Sequence, residues 1–191
     1  MTLLKSLLLV ALVTGLLLLI PLVAMQYTAE VNWTFSDFVF GAVVLFGAGS
    51  TFVLIARMGN NGTYRLAAGI GVVAGLLLVW ANAAVGLVGS EDHPTNLLYG
   101  AVLLVALGGA IAARFRPLGT SNAMFAAALT YVAVTGIALF VWKPTGAAAE
   151  PAAYQLNVLV ANGVFAALWA VSGLLFRRAG GSSAPLAQRL A

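Results

Sequence analysis

The sequence predicts an all-α, polytopic membrane protein: six transmembrane helices, paired as three parallel helical-hairpin repeats. Composition is the first observation behind this. Of 191 residues, 62% are hydrophobic and 7% charged, and the mean hydropathy is +1.05; soluble domains carry about 25% charged residues. Segment length is the second. Six apolar runs of about 20 residues each match the ~30 Å hydrocarbon core of a bilayer at ~1.5 Å rise per residue. Charge placement is the third. All five acidic residues (Glu30, Asp37, Glu91, Asp92, Glu150) follow the first, third and fifth runs. Eight of nine basic residues (Lys5, Arg57, Arg65, Arg114, Arg116, Arg177, Arg178, Arg189) fall at the opposite ends, Lys143 being the exception. Short loops rich in Lys and Arg stay in the cytoplasm, so both termini are expected there and the acidic loops outside. The same placement accounts for the net charge of +4 as a topology signal, and no nucleic-acid partner is expected.

The first span, 6–26, follows Lys5. Its apolar stretch exceeds the roughly 7–15 residues of a secretory signal, and Leu22 is not small at the third position before a cut after Ala24. It therefore reads as a retained helix. Pro21 is a kink site, tolerated where neighbouring helices satisfy the freed carbonyl. Asp37 opens the second span, 38–57, which ends at Arg57 and the turn cluster MGNNGTY. The third, 66–88, lies behind Arg65. After SEDHPT, Asn96 is placed as the N-cap of the fourth span, 96–113. RFRPLGTSN breaks the chain before the fifth, 123–142. The loop KPTGAAAEPAAYQL leads to Asn157 and the sixth, 157–176, closed by Arg177 and Arg178. Residues 1–178 make one domain, and 179–191 have the composition of a flexible cytoplasmic tail.

The pairing into hairpins rests on spacing. Asp37, Asn96 and Asn157 each precede an arginine by 20 residues, namely Arg57, Arg116 and Arg177. Their offsets are 59 and 61, and those of Gly15, Gly75 and Gly136 in the odd runs are 60 and 61. Repeats of two spans share one orientation and are related by an axis along the membrane normal. The expected arrangement is six helices about a pseudo-threefold axis.

No ionisable residue lies deep in a span, which argues against proton relays and ion-coupled transport. His93 is the only histidine, so a haem on paired histidines is excluded, and with no cysteine there are no disulfides or thiolate sites. No cofactor or metal is implied. Within the spans Asn82 and Asn162 are the chief polar side chains; they either bond between helices or line a pocket. Trp169 stands 12 residues into the sixth span, where Gly49 and Gly108 align, and is expected to fill the bundle interior. Trp33, Trp80 and Trp142 fit an aromatic belt. Glu91, Asp92 and His93 form the most polar cluster. They are a candidate outer-loop site if Glu30 or Glu150 joins them, and otherwise a solvated turn whose acids favour a helix N-terminus.

GSEDHPTNLLYGAVLLVALGGAIAARFRPLGTSNAMFAAAL, followed by VANGVFAALWAVSGLLFRRA, resembles a family of small, uncharacterised six-span bacterial inner-membrane proteins, over about 80–179. The resemblance implies helices and a bacterial plasma membrane, and no activity. The functional expectation is a non-enzymatic accessory or lipid- or apolar-ligand-binding module whose partners are the bilayer and a membrane protein or a second copy. The alternatives are a small transporter or channel, and a membrane-surface enzyme using the acidic outer loop.

Overall fold

In the computed structural model, residues 1–59, 61–88, 94–141 and 152–182 are described, and they are all-helical. Six helices are long and apolar enough to cross a membrane. They are built on α1 (Leu3–Tyr27), α2 (Phe35–Ala56), α3 (Gly62–Ala84), α4 (Gly100–Ala112), α5 (Pro117–Gly136) and α6 (Ala152–Ser182), the fourth reaching membrane length only as Pro94–Ala112. A 3₁₀ turn, Pro94–Tyr99, leads into α4, and a π-helical turn, Ile137–Val141, continues α5.

Local chemistry sets the boundaries and moves several of them from the sequence expectation. Helix α2 starts at a Thr34 N-cap, with Asp37 three residues on completing a capping box, so Asp37 supports the cap instead of opening the helix. Asn61 caps α3, its Oδ1 accepting from Tyr64 N at 2.7 Å. Gly86, with φ 73°, takes the left-handed position just after α3. Pro117 starts α5 at N1, where its missing N–H costs nothing, so the expected break over RFRPLGTSN is mostly helix. Helix α6 runs from Ala152 to Ser182, longer at both ends than expected. Its last turn is packed: Ala179 is buried and its carbonyl accepts from Asn61 Nδ2.

The helices pack in the order α1, α2, α3, α6, α5, α4, each mainly on the next. The core lies among α3 to α6. Tyr64, Leu78, Tyr99, Tyr131 and Phe176 are its largest fully buried side chains, whereas α1 buries only Thr14 and α2 only Gly41. Small residues bring α6 close to its neighbours. Ser172 Oγ donates to Ala67 O at 2.9 Å, and Ser121 Oγ donates to Gly173 O at 2.8 Å. At the other margin, Arg57 Nη2 donates to Met1 O and Ser6 Oγ, tying the start of α1 to the end of α2.

This order does not reproduce the expected threefold arrangement. Helices α1 and α2 pack as a hairpin, as do α5 and α6, but α3 and α4 rest chiefly on α6 and α5. The three residues taken as repeat markers also occupy unlike positions. Asp37 is an exposed capping residue, Asn96 is buried in the 3₁₀ turn, and Asn157 is exposed inside α6. The packing order is instead unchanged when α1, α2 and α3 exchange with α4, α5 and α6.

Candidate functional site

The described basic residues gather at one end of the bundle, where Arg57, Arg65, Arg114, Arg116, Arg177 and Arg178 are all exposed. Glu30 and Asp37, the described acids, lie at the other.

Toward the acidic end a polar network ties the core helices together. Asn96, only 3% exposed, accepts at Oδ1 from Leu87 N (3.1 Å) and Val88 N (3.2 Å), while its carbonyl accepts from Asn82 Nδ2 at 3.0 Å. Asn96 therefore locks the segment after α3 and is not the N-cap of a helix; the α4 span begins as a 3₁₀ turn around it. Next to it, the Tyr99 hydroxyl donates to Asn162 Oδ1 and meets Thr135 Oγ1, each at 3.0 Å. Asn162 Nδ2 donates to Val158 O at 2.8 Å and to Leu87 O at 3.4 Å. Each hydroxyl has one proton: that of Tyr99 goes to Asn162 Oδ1 and that of Thr135 to Tyr131 O at 3.0 Å, and either can be shared across the Tyr99–Thr135 contact. Tyr131 stacks on Phe165 with centroids 5.9 Å apart, and its hydroxyl has no partner among the described residues.

Beyond this network, toward the basic end, α2 and α4 face each other across a groove of about 330 Å³. Its floor is α3, α6 and α5, and it falls within the volumes typical of ligand pockets, about 300–1,000 Å³. Gly47, Gly71 and Gly75 keep its walls low. A Cβ at Gly47 would meet nothing within 4 Å, and one at Gly75 would meet Leu103 at 3.4 Å and Trp169 at 3.7 Å. The lining side chains are carbon apart from Thr51, Thr120, Trp169 and the sulfur of Met124. Trp169 Nε1 and Thr120 Oγ1 are sealed and lack partners among the described residues, so the groove offers an occupant apolar contact and few hydrogen bonds. On the far side of α2, α1 and α3 border a second apolar hollow of about 760 Å³.

The groove covers about one leaflet. On α2 it runs from Val43 to Ile55, 12 helical steps, about 18 Å at ~1.5 Å each, against about 15 Å for half the hydrocarbon core.

A third hollow, about 750 Å³, opens at the basic end, where Arg114, Arg116, Tyr64 and Asn61 line it. Arg114 and Phe115 form the turn into α5 with φ 51° and 55°, a left-handed pair that costs non-glycine residues roughly 1–2 kcal/mol each. Tyr64 Oη holds the turn by donating to Phe115 O at 2.9 Å. Gly59 lies over the Tyr64 ring, where a Cβ would collide with it.

Of the residues singled out from sequence, Asn82 and Asn162 both join the polar network and neither lines the groove, while Trp169 does line it. Glu30 is exposed in the α1–α2 loop, its N–H donating to Thr28 Oγ1. Glu91, Asp92, His93 and Glu150 lie outside the described residues, as does Trp142. Sequence reasoning missed Tyr99, Thr135 and Tyr64. The available signal was a tyrosine or threonine inside an apolar run, where an unpartnered hydroxyl is costly. No family model, curated protein or solved structure matches the chain.

Proposed function

We propose that this chain is a non-enzymatic, multi-pass protein of the bacterial plasma membrane that holds an apolar molecule, a lipid chain or similar, between α2 and α4. The observation that carries the reading is the groove: a carbon-lined space bounded by five helices, with α2 and α4 as its lips and glycines along its walls. The absence of ionisable residues deep in the spans supports a binding role over ion-coupled chemistry. The basic ends of the helices support cytoplasmic termini. Helices α1 and α2, with so little of their apolar surface buried, leave room for a membrane partner or a second copy beside the lipid.

The test is native mass spectrometry of the protein extracted in mild detergent. Wild type should carry apolar adducts. Gly47→Leu should lose them, because Gly47 lines the groove and a Cβ added there meets no atom within 4 Å, so the larger side chain takes up groove space. Gly163→Leu, at an exposed glycine with equally open surroundings, should keep them. Wild-type protein without adducts would refute the reading.

A second reading, a small transporter, draws on the packing order. Halves of three spans that exchange in that order have opposite orientation, as inverted repeats do, and the 3₁₀ entry to α4 is a discontinuous span. Flux of an amphiphile across liposomes that stops in Gly47→Leu would favour it.

A further inference from the structure

We propose that the occupant of the groove is an anionic phospholipid from the leaflet at the basic end, its acyl chain in the groove and its phosphate in the hollow between Arg114 and Arg116. This rests on the groove reading above and adds the chemical class of the ligand. The first support is alignment. Two groove walls continue into the basic hollow one helical turn further on, Ala68 then Tyr64 on α3 and Phe176 then Gly180 on α6, and residues four apart share a helix face. Ala110 of α4 and Thr120 of α5 also line the groove, and Arg114 and Arg116, in the turn that joins those two helices, line the hollow, so the two spaces are stacked along the bundle. The buried Tyr64–Phe176 pair, with ring centroids 5.0 Å apart, stands between them, and a lipid passes it on the open α2–α4 side.

Length and charge give the other supports. A groove about 18 Å long, counted from the basic end, has the depth of one leaflet's chains and ends below the polar network. A chain lying in it brings its headgroup to the arginines. No carboxylate among the described residues is found at that end, so Arg114 and Arg116 are not neutralised from within the described fold. Arginine pairs suit phosphate oxygens, which they grip in a planar, bidentate way. Leu118 and Gly119, in the first turn of α5, line the same hollow, and the N-cap Arg116 makes no side-chain capping bond. The carbon-lined groove disfavours a free phosphate, which would use the hollow and leave the groove unused.

The full-length protein, purified in mild detergent, is equilibrated with vesicles of equal phosphatidylglycerol and phosphatidylcholine with matched chains, and retained lipid is counted by native mass spectrometry. Wild type should retain phosphatidylglycerol preferentially. Arg114→Gln and Arg116→Gln should each lower that preference about fivefold, the equivalent of ~1 kcal/mol per basic residue. Both should still carry phosphatidylcholine, which reports an intact groove. Arg177→Gln and Arg178→Gln, made singly, each remove the same charge away from the hollow and should leave the preference unchanged. Glycerol phosphate should not displace the lipid. Equal retention of the two lipids by wild type would overturn the headgroup assignment and leave the groove reading standing. Equal losses in both arginine pairs would overturn the assignment to this hollow, and displacement by glycerol phosphate would make the ligand a free phosphate. Absence of any lipid would instead overturn the groove reading itself.

Discussion

The phenol of Tyr99, in the turn that leads into α4, donates to Asn162 Oδ1 of α6 at 3.0 Å, and both residues are buried. Through Asn162 the same bond reaches Leu87 O, so one side chain couples two spans to the segment after α3. Interhelical hydrogen bonds in membranes average ~0.6 kcal/mol and reach ~1.7. A double-mutant cycle on Tyr99→Phe and Asn162→Leu, read by unfolding in detergent or bicelles, should give a coupling between these figures, because loss of the phenol strands Asn162 Oδ1 whereas loss of Asn162 leaves the phenol its contact with Thr135. A coupling indistinguishable from zero would mean the two residues act independently.

Asn96 should matter more than a helix cap does. It is the acceptor for two buried backbone N–H groups, and leaving such a group unpaired costs about 1–3 kcal/mol, whereas losing an N-cap costs ~1. Asn96→Ala should lower stability by more than ~1.5 kcal/mol. If the loss is below ~0.5 kcal/mol, the Leu87–Val88 segment is held by something else.

The turn into α5 sets stability against binding. Replacing Arg114 with glycine relieves a left-handed residue, which should raise stability by up to ~1 kcal/mol. It also removes one of the two arginines of the basic hollow, so preference for anionic lipid should fall. A thermal melt and a lipid-retention assay on the same sample should therefore move in opposite directions; a variant that loses both would show that Arg114 supports the fold.

Sidedness is accessible because the chain has no cysteine of its own. Single cysteines at Ala29 and Val85, exposed toward the acidic end, should react with an impermeant thiol reagent on intact cells. Those at Gly62 and Leu118, exposed toward the basic end, should react only after the membrane is opened. The reverse pattern would invert the proposed orientation.

Six spans could be read directly, because apolar length and the alternation of charge are properties of the segment alone. Helix neighbours could not. A span that is apolar on every face carries no stripe to say what it packs against, so the order α1, α2, α3, α6, α5, α4 was hidden. Asn96 was misread for a related reason. An asparagine after Pro-Thr has the local signature of a cap, but its partners are backbone N–H groups eight and nine residues earlier, reached because the chain folds back. The equal spacing of Asp37, Asn96 and Asn157 behind arginines does not carry over into equivalent roles, since the three residues do different things in the fold. Trp169 was marked as an interior side chain and is one. What sequence could not supply was the empty space beside it, which depends on Gly47, Gly71 and Gly75 arriving from two other helices.

The central claim is that a lipid chain occupies that space, and Trp169 reports on it most directly. It is 3% exposed and lines the groove, so a lipid that stays in the bulk bilayer cannot touch it. In a protein whose other tryptophans (Trp33, Trp80 and Trp142) are replaced by phenylalanine, Trp169 fluorescence is measured in bilayers of chain-brominated phosphatidylglycerol. The account predicts strong quenching that Gly47→Leu largely abolishes and Gly163→Leu does not. Unquenched Trp169 emission, or the same quenching in all three proteins, would contradict it.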